Sequence, residues 1–474
     1  MKHFPKGMTP RDAQTYALQQ VERALGWADV IVVRAPTAVG KSAIGVTVAR
    51  YASAKLKLKS HTIVPTKQLV DQLLMAFPRM VSLKARADYP CDRPEVTEGP
   101  RGGITEEPCG ECPNCKQRLS DNRKIRMVPY GVSNYYVAYS YKVYKPLLIV
   151  DEAHKLLEVI RDMGAIRFSR REYEFPADLG TYGEILGWAE HELQAGRGNG
   201  KLEMLVSQLR SLKMSTTLHI TREPYSGRMD TVLKLLPIDI RHLPPWFWPS
   251  KVKKIVLMSA TIGPQDIADM GLANRKVAYI DCDSPIPAMN RPVFYTPVAD
   301  MRMAAQETSV PEVVKRVGLL AQKFQGKKGL IHATYRVSAA LQASALSSNP
   351  RFIWHTAANR KAAFEEFQAS EDGILVACGM QEGLDLPYDA CRWQVITQVP
   401  WPSLDDPAVA VRLKADPVWY AYQAAKSIMQ AAGRVCRTPE DHGCSYIIDT
   451  QWERLERYGR ANNLFPQWFL DAII

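Results

Sequence analysis

The sequence predicts an α/β protein with two parallel-sheet domains, and three observations support this prediction. The chain has 474 residues, too many for one hydrophobic core, so two to four domains are expected. Short β-branched runs alternate with helical stretches, a pattern typical of parallel sheets covered by helices. The alternation occurs twice, first as ADVIVV, HTIV, PLLIV and KKIVLMS and then as GLIHAT, FIWH, GILVAC, QVITQV and SYIID.

Composition and charge describe a folded chain with a basic surface. Hydrophobic residues make up 46% and charged residues 23% of the chain, and no apolar run reaches the roughly 18 residues that a membrane span needs. The N-terminal MKHFPKGMTP lacks an apolar signal segment, so we expect a cytoplasmic or nucleoid-associated protein without a membrane partner. The 61 Lys and Arg exceed the 49 Asp and Glu by 12. This excess fits a polyanionic partner such as nucleic acid, and it fits ordinary solubility equally well.

The loop APTAVGKS at residues 35–42 follows the first predicted strand and opens a helix. It fits the phosphate-binding P-loop pattern, except that Ala35 stands in place of the leading glycine. In such a loop, backbone N–H groups cradle phosphates and Gly40 lets the backbone approach closely. Lys41 neutralises phosphate charge, and the Ser42 hydroxyl ligates Mg²⁺. The loop therefore predicts a nucleoside-triphosphate site.

Two later motifs supply what such a site needs for hydrolysis. DEAH follows the strand PLLIV, so Asp151 is placed to hold Mg²⁺ through water and Glu152 to position or deprotonate the attacking water. The strand KKIVLMS runs into Ser-Ala-Thr. Further on, QAAGRVCR at residues 430–437 carries Arg434 and Arg437 on one predicted helical stretch. Arginines of this kind stabilise transition-state charge on phosphates.

Four of the nine cysteines form the pattern C-x17-C-x2-C-x2-C, at Cys91, Cys109, Cys112 and Cys115. The compact triplet with one remote cysteine favours a 4Fe–4S cluster, while the spacing alone leaves a zinc site and unligated thiols open. The surrounding segment 88–129 is rich in Pro, Gly and charge. Because it has few apolar side chains to bury, a metal centre would have to act as its core.

The order of these motifs resembles that of superfamily-2 helicases, and with the cysteine insertion it resembles the DinG/XPD-like iron–sulfur DNA helicases. The cysteines fall between motif Ia and the DEAH strand, where that family carries its iron–sulfur insertion, and this raises the case for the cluster. The resemblance spans roughly residues 4–450. Further segments that fit the family are RDAQ (11–14), VPTKQLVDQL (64–73), SNYY (133–136), HATYR (332–336) and CGMQEGLDLP (378–387).

The resemblance implies roles for individual residues. Those implied in nucleotide binding are Arg11 and Gln14, which would read adenine, the loop residues Thr37, Gly40, Lys41 and Ser42, and the motif V residues Glu382, Gly383 and Asp385. Gln430 would help sense the phosphates beside Arg434 and Arg437. Residues implied in DNA binding are Thr66, Asn134 and Tyr335. The chain departs from the family at Ala38, where a glycine is usual, and at Tyr135, where a histidine is usual.

The resemblance also implies an architecture and an activity. Two RecA-like motor domains are expected, the first interrupted by two insertions, with ATP in the cleft between them. The expected ranges are 1–87, 130–155 and 250–285 for the first motor domain, 88–129 for the iron–sulfur insertion, 156–249 for a helical arch, and 286–474 for the second motor domain.

The implied activity is that of an ATP- and Mg²⁺-dependent DNA helicase or translocase, acting 5′→3′ on single-stranded DNA and on forked or tailed duplexes as a monomer. The alternatives are a DEAH-type RNA helicase, which would lack a four-cysteine insertion here, and a zinc–cysteine DNA-binding protein whose nucleotide site is only structural.

Overall fold

The structure, a computed structural model, consists of two compact units. They comprise Met1–Arg34 with Lys41–Ile280, and Ala35–Gly40 with Asp281–Ile474. The described residues are 3–93, 95–98, 104–107, 109–197, 200–212, 216–225, 228–238, 240, 247–356, 359–378 and 386–474. The motif V residues Glu382, Gly383 and Asp385 therefore lie outside the described residues.

The first unit is built on a seven-stranded sheet. Its strands, in their order across the sheet, are β12 (Val277–Asp281), β1 (Val30–Arg34), β11 (Lys254–Ser259), β7 (Leu147–Asp151), β2 (Ser60–Val64), β6 (Tyr130–Asn134) and β3 (Val81–Ser82). The pairs from β1 to β3 are parallel. Strands β2 and β7 are buried along their whole length, as expected of a parallel sheet covered on both faces.

Helices cover this sheet and connect its parallel strands. They are α1 (Asp12–Ala24), α2 (Lys41–Lys55), α3 (Lys67–Ala76), α4 (Pro113–Met127), α5 (Tyr135–Ser140), α6 (Leu156–Met163) and α10 (Pro264–Asp269). Because the strands are parallel, the ends of β1, β7 and β11 meet at one edge of the sheet. Register places Arg34 beside Ser259, and Met258 beside Asp151. This carboxyl edge is where ligands bind in open α/β sheets.

The cysteine-containing insertion leaves the sheet after β3 and returns at β6, the strand that pairs with β3. It contains a hairpin of β4 (Glu95–Glu98) and β5 (Ile104–Glu107), followed by α4. Ile125 near the end of α4 is fully buried against Leu83, Val137 and Val143. The C-terminal part of α4 is therefore attached to the first unit by apolar packing.

The second insertion is less helical than the sequence predicts. It holds α7 (Arg170–Tyr173), α8 (Tyr182–Gln194) and α9 (Gly200–Leu212), but also an antiparallel sheet of β8 (Ile166–Ser169), β10 (Arg228–Pro237) and β9 (Thr216–Tyr225). The prediction of a mostly helical segment was therefore incomplete. Strand β10 contains the alternating run TVLKLL, whose Val232, Leu233 and Leu235 are buried, and this burial against α8 and α9 favours the hairpin.

The second unit is built on a six-stranded parallel sheet. Its strands, in order across the sheet, are β13 (Val293–Ala299), β18 (Cys444–Asp449), β17 (Trp393–Ile396), β14 (Gly329–Ala333), β16 (Ile374–Cys378) and β15 (Phe352–Trp354). Its helices are α11 (Gln306–Lys323), α12 (Tyr335–Ala343), α13 (Arg360–Ala369), α14 (Pro407–Ala415), α15 (Pro417–Ala432), α16 (Gln451–Ala461) and α17 (Gln467–Leu470). The strands predicted from GLIHAT, FIWH, GILVAC, QVITQV and SYIID are all present.

Apolar clusters cover both faces of the second sheet. On one face, Val395 of β17 packs with residues of α11 and α12. On the other face, Ile396 packs with residues of α15 and α16. Neighbouring residues of β17 thus point to opposite faces, as the two-residue period of a strand requires. Among the helices of the described chain, none combines the length and hydropathy needed to cross a membrane.

Each of the two parallel sheets contains a buried histidine, and this makes stability depend on pH. Burial lowers the pKa of His61 in β2 to about 3 and of His332 in β14 to about 4. Both rings therefore stay neutral in the folded state while the unfolded chain takes up protons below pH 6.5. Their contribution to stability is complete above pH 6.5 and is lost as the pH falls toward 4.

We expect each histidine to cost about 2 kcal/mol of stability between pH 8 and pH 5, because one pKa unit corresponds to about 1.4 kcal/mol. Denaturant unfolding of His61→Asn at the two pH values measures this, since the variant should lose less stability on acidification than the wild type. His191→Gln is the control, because His191 is exposed. Equal acid sensitivity of His61→Asn and wild type would contradict the prediction.

Candidate active site and metal centre

The last two residues of the P-loop, Lys41 and Ser42, converge with Asp151 and Glu152 at the carboxyl edge of the first sheet. Lys41, the first residue of α2, places its Nζ 3.3 Å from Glu152 Oε1. Ser42 donates its hydroxyl to Asp151 Oδ2 at 3.4 Å. The Lys41 side chain is 10% exposed and that of Glu152 is 32% exposed. A cation, a hydroxyl and two carboxylates are thus assembled in a partly closed site, which is the donor set that a phosphate–Mg²⁺ complex uses.

The two carboxylates have opposite electrostatic environments. Burial, with the negative charge of Glu152, raises the pKa of Asp151 to about 6. Burial alone would raise the pKa of Glu152 too, but the nearby Lys41 ammonium and His154 offset it and hold that pKa below its ordinary value. Asp151 therefore holds its negative charge at an energetic cost that a bound cation would relieve, while Glu152 stays ionised and able to accept a proton.

Tyr135 contacts the backbone of the DEAH segment through its hydroxyl. Its buried hydroxyl donates to the carbonyl oxygen of Asp151 and lies 3.0 Å from that of Glu152. Glu152 has φ +51°, a left-handed backbone conformation that residues other than glycine rarely adopt. The tyrosine thus fixes a strained residue that carries a candidate catalytic carboxylate. Sequence reasoning noted Tyr135 only as a departure from the family and missed this contact.

Tyr135→Phe is expected to lower both stability and ATP hydrolysis. Removing the hydroxyl takes a donor from the buried carbonyl of Asp151, which costs about 1–3 kcal/mol, while the carbonyl of Glu152 keeps the backbone N–H of Lys155 at 3.0 Å. We expect a lower unfolding midpoint and a several-fold lower kcat, since Glu152 loses the contact that fixes it. Tyr144→Phe is the control, because the described residues offer no hydrogen-bond partner for the Tyr144 hydroxyl. Wild-type kcat in Tyr135→Phe would contradict this role.

The DEAH histidine links this segment to the Ser-Ala-Thr strand. His154 Nδ1 lies 2.8 Å from Ser259 Oγ, and that oxygen accepts from the backbone N–H of Thr261 at 3.2 Å. The same ring nitrogen lies 3.4 Å from Glu152 Oε2. The ends of β7 and β11 are therefore joined by side chains as well as by the sheet.

Two residues of the P-loop adopt left-handed backbone conformations. Gly40 has φ +85° and Ala38 has φ +70°. Ala38 thus takes the conformation for which glycine is usual, at a steric cost of about 1–2 kcal/mol.

The two residues predicted to read adenine lie together at the start of α1. Gln14 Oε1 accepts a hydrogen bond from the Arg11 backbone N–H at 3.0 Å.

The residues predicted to face DNA lie at the starts of helices. Thr66 Oγ1 accepts from Leu69 N at the beginning of α3, and Asn134 Oδ1 accepts from Val137 N at the beginning of α5. Both therefore have a capping role independent of any ligand. Tyr335 opens α12 in the second unit, and its side chain is 72% exposed. Exposure of this kind leaves an aromatic ring available for stacking on a base.

A small pocket in the first unit lies beside the predicted DNA-facing residues. Asn134 lines it, together with Lys67, the residue after Thr66. It has a volume of about 60 Å³, and Lys84 and Asp88 also line it. Lys67 Nζ pairs with Asp88 Oδ1 at 2.6 Å. Asp71 also lines the pocket, so two lysines and two aspartates lie beside the predicted DNA-facing residues, and sequence reasoning did not single them out.

The predicted arginines do not lie on a helix. Helix α15 ends at Ala432 just after Gln430, and Arg434 and Arg437 follow in the turn. The expectation of one helical stretch through QAAGRVCR was therefore wrong. Gly433 explains the difference, because glycine is a poor helix former and stands directly after the last helical residue.

Asp441 holds the turn that carries Arg437. This carboxylate is fully buried and accepts from the backbone N–H groups of Arg437 and Tyr388, each at 3.0 Å. It also pairs with the Arg392 guanidinium at 3.0 Å. A buried carboxylate is stable only with such partners. Arg437 is therefore positioned through its backbone.

The four predicted metal-ligating cysteines come together. One Sγ atom from each of Cys91, Cys109, Cys112 and Cys115 lies within 4.8 Å of the others. Backbone N–H groups donate toward two of the sulfurs, from Cys109 to Cys91 at 3.4 Å and from Cys112 to Cys109 at 3.3 Å. Such bonds stabilise thiolates.

Four thiolates are the ligand set of 4Fe–4S clusters and also of structural zinc, in which sulfurs bound at about 2.3 Å stand roughly 3.8 Å apart. The four cysteines thus supply the donor set of either kind of metal centre.

Comparisons with known proteins agree with this arrangement. The family model described as type III restriction enzyme, res subunit, matches residues 7–167, and the helicase C-terminal domain model matches residues 331–471. A regulator of telomere elongation helicase 1 homolog from Caenorhabditis briggsae is 29% identical over 119 residues, which are 21% of this chain and 11% of that protein. The match thus spans about a tenth of that curated relative.

Solved structures show the same fold over nearly the whole chain. S. tokodaii Xpd4 superposes with a TM-score of 0.58 at 14% identity, covering 98% of this chain and 99% of that one. An XPD helicase structure gives 0.60 at 14% identity, covering 96% and 99%. The two parallel-sheet units of this chain therefore share the fold of these XPD structures. The resemblance predicted from the sequence is confirmed: the chain is similar to XPD/DinG-like helicases in its fold and in the segments that the two helicase-type family models match.

Proposed function

We propose that this protein is an ATP-dependent DNA helicase or translocase that moves 5′→3′ on single-stranded DNA. The observation that carries the proposal is the convergence of Lys41, Ser42, Asp151 and Glu152 at one edge of the first sheet. A site that only bound nucleotide would need no ionised carboxylate held beside the phosphate-binding lysine. The direction of movement and the preference for DNA rest on the resemblance to the DinG/XPD-like family.

In the proposed mechanism, Lys41 and the loop residues Thr37 and Gly40 bind phosphates, while Arg11 and Gln14 read the adenine. Mg²⁺ bound by Ser42 and Asp151 would neutralise phosphate charge. Glu152 positions the attacking water and takes its proton. The residues proposed to sense the phosphates or stabilise the transition state are Gln430, Arg434 and Arg437, with the motif V residues Glu382, Gly383 and Asp385 as further nucleotide contacts.

The proposed DNA path uses Thr66, Asn134 and Tyr335. Lys84 lies beside Asn134 as a candidate phosphate contact, and contacts between lysine and phosphate make binding depend on salt. The exposed Tyr335 ring is a stacking surface for a base. The cysteine insertion, with a 4Fe–4S cluster on Cys91, Cys109, Cys112 and Cys115, serves as a rigid body at the junction between duplex and single strand.

Substrate choice is tested by competition. ATP hydrolysis is measured with single-stranded DNA and with RNA of the same sequence, and unwinding is measured on duplexes with 5′ or 3′ tails. We expect DNA to stimulate hydrolysis more than RNA and the 5′-tailed duplex to be unwound. Greater stimulation by RNA would identify the RNA-helicase alternative, and unwinding only from 3′ tails would reverse the proposed polarity.

The metal is tested separately, on protein purified without air. Iron, acid-labile sulfide and zinc are assayed together with the visible spectrum. We expect iron and sulfide near four each per chain, as a 4Fe–4S cluster requires. One zinc without sulfide would identify a zinc site instead. Metal-loaded protein that binds DNA without any ATP hydrolysis would support the DNA-binding alternative.

A further inference from the structure

A buried glutamine in the second sheet connects the strands to the end of α15. Gln394 lies in β17 and is fully buried. Its Nε2 donates to the backbone oxygen of Ala431 at 2.8 Å and to Ser445 Oγ at 2.7 Å. Its Oε1 lies 3.0 Å from His332 Nε2. One amide thus joins three strands, β14, β17 and β18, to the last turn of a helix.

The partners fix the orientation of every group in this network. A backbone carbonyl can only accept, so the nitrogen of the Gln394 amide must face Ala431. The amide oxygen then faces His332, and the imidazole must carry its proton on Nε2 to donate to it. Burial lowers the pKa of His332 to about 4, with a smaller lowering by the positive charge of Arg434 and against the hydrogen bond to Gln394, which raises it. The ring is therefore neutral at physiological pH and retains this tautomer.

The network extends to Arg434 through a single atom. The oxygen of Ala431 accepts a second hydrogen bond, from the backbone N–H of Arg434 at 3.1 Å. Carbonyls in the last turn of a helix lack intrahelical donors, so their partners decide how the chain leaves the helix. Here the donors are Gln394 from the sheet and Arg434 from the turn that follows. No left-handed glycine fixes this exit, because Gly433 has φ −76°.

We propose that Gln394 is a positioning residue for ATP hydrolysis, setting the exit of α15 and thereby the place of the Arg434 side chain. This inference rests on the proposed function, in which Arg434 stabilises charge on the phosphates. An arginine displaced by about 1 Å can lose on the order of a hundredfold in rate. A residue two hydrogen bonds away can therefore affect the chemical step without touching the nucleotide.

The test uses the full-length protein and the variant Gln394→Met, which keeps the side-chain length and removes both donated bonds. Val395→Ala is the matched control, because Val395 is the next residue of the same strand and is equally buried, but packs on the opposite face with α11 and α12. Both variants should lower the unfolding midpoint. Only Gln394→Met should lower kcat, by about 10- to 100-fold with KM for ATP nearly unchanged. If Gln394→Met folds poorly, Ser445→Ala replaces it in the test. This variant removes one bond to the amide and should lower kcat in the same direction by a smaller factor.

Hydrogen exchange tests the positioning itself, independently of catalysis. The amides of residues 432–437 should exchange at least tenfold faster in Gln394→Met than in Val395→Ala. Equal exchange in the two variants would overturn the inference. If exchange accelerates but Arg434→Ala hydrolyses ATP at the wild-type rate, then Gln394 positions this turn and the proposed role of Arg434 fails.

A double variant completes the test. If Gln394 acts through Arg434, then adding Gln394→Met to Arg434→Ala should lower kcat by less than twofold further, because effects through a shared partner are not additive. A full multiplication of the two losses in kcat would mean that Gln394 acts independently of Arg434, and it would overturn the inference.

Discussion

Glu152→Gln is expected to lower kcat for DNA-stimulated ATP hydrolysis by about 10²–10⁴-fold, the usual loss when a general base is removed. The substitution keeps the shape of the side chain and removes its ability to accept a proton. ATP binding should persist, because Lys41 and Ser42 remain in place and Lys41 loses a competing carboxylate 3.3 Å away. Steady-state kinetics together with the affinity for a fluorescent ATP analogue measure both effects.

Lys41→Ala should fail in a different way, since it removes the cation that holds the phosphates. We expect its affinity for the analogue to fall, whereas Glu152→Gln retains binding and loses turnover. Glu158→Gln is the matched control, because Glu158 is an exposed carboxylate in α6, just after the DEAH segment. Unchanged kcat in Glu152→Gln would remove Glu152 from the proposed catalytic residues.

Cys112→Ser is expected to remove the metal centre and, with it, duplex unwinding. Cys112 stands at the beginning of α4, and Cys115 is buried in its first turn. Losing one of four ligands exposes the centre, and structural metal sites of this kind contribute about 10 kcal/mol or more to folding. We expect iron and sulfide to fall to trace levels and unwinding of a tailed duplex to fall more than tenfold.

ATP hydrolysis should remain within about threefold of wild type in the same variant, because the nucleotide residues lie on β1, β7 and α2 rather than on the insertion. Cys444→Ser serves as the control, since Cys444 lies in β18 of the second unit and should leave the metal content unchanged. Full metal content in Cys112→Ser would remove this cysteine from the proposed ligand set. Loss of metal with normal unwinding would assign the insertion a purely structural role.

The strands and motifs could be predicted from the sequence because their signals are local. A buried β-branched run followed by a P-loop or by DEAH predicts both an element and its ligand. The five strands named by their letters in the second half all formed, with β13 as the sixth strand of that sheet. The four cysteines were predicted to come together, and they do. In each case a few neighbouring residues carry the signal.

What the sequence did not reveal depends on contacts between distant residues. The hydroxyl of Tyr135 reaches residues 16 and 17 positions away, and the amide of Gln394 reaches residues 37 to 62 positions away. The hairpin of β9 and β10 forms where burial against α8 and α9 outweighs a helical pattern. Local propensity cannot report such contacts, because tertiary packing decides them.

The placement of the cysteine insertion between β3 and β6 has a consequence for its evolution and for damage to it. Val81 and Ser82 pair with Gly131 and Val132, so the chain leaves the sheet and re-enters it at neighbouring points. An insertion whose two ends lie close together adds little strain to the domain that contains it, whether the insertion is folded or unfolded. An oxidant that destroyed the proposed metal centre would therefore disrupt the insertion and leave the sheet that carries the nucleotide residues folded. The insertion could then bind metal again on an intact domain.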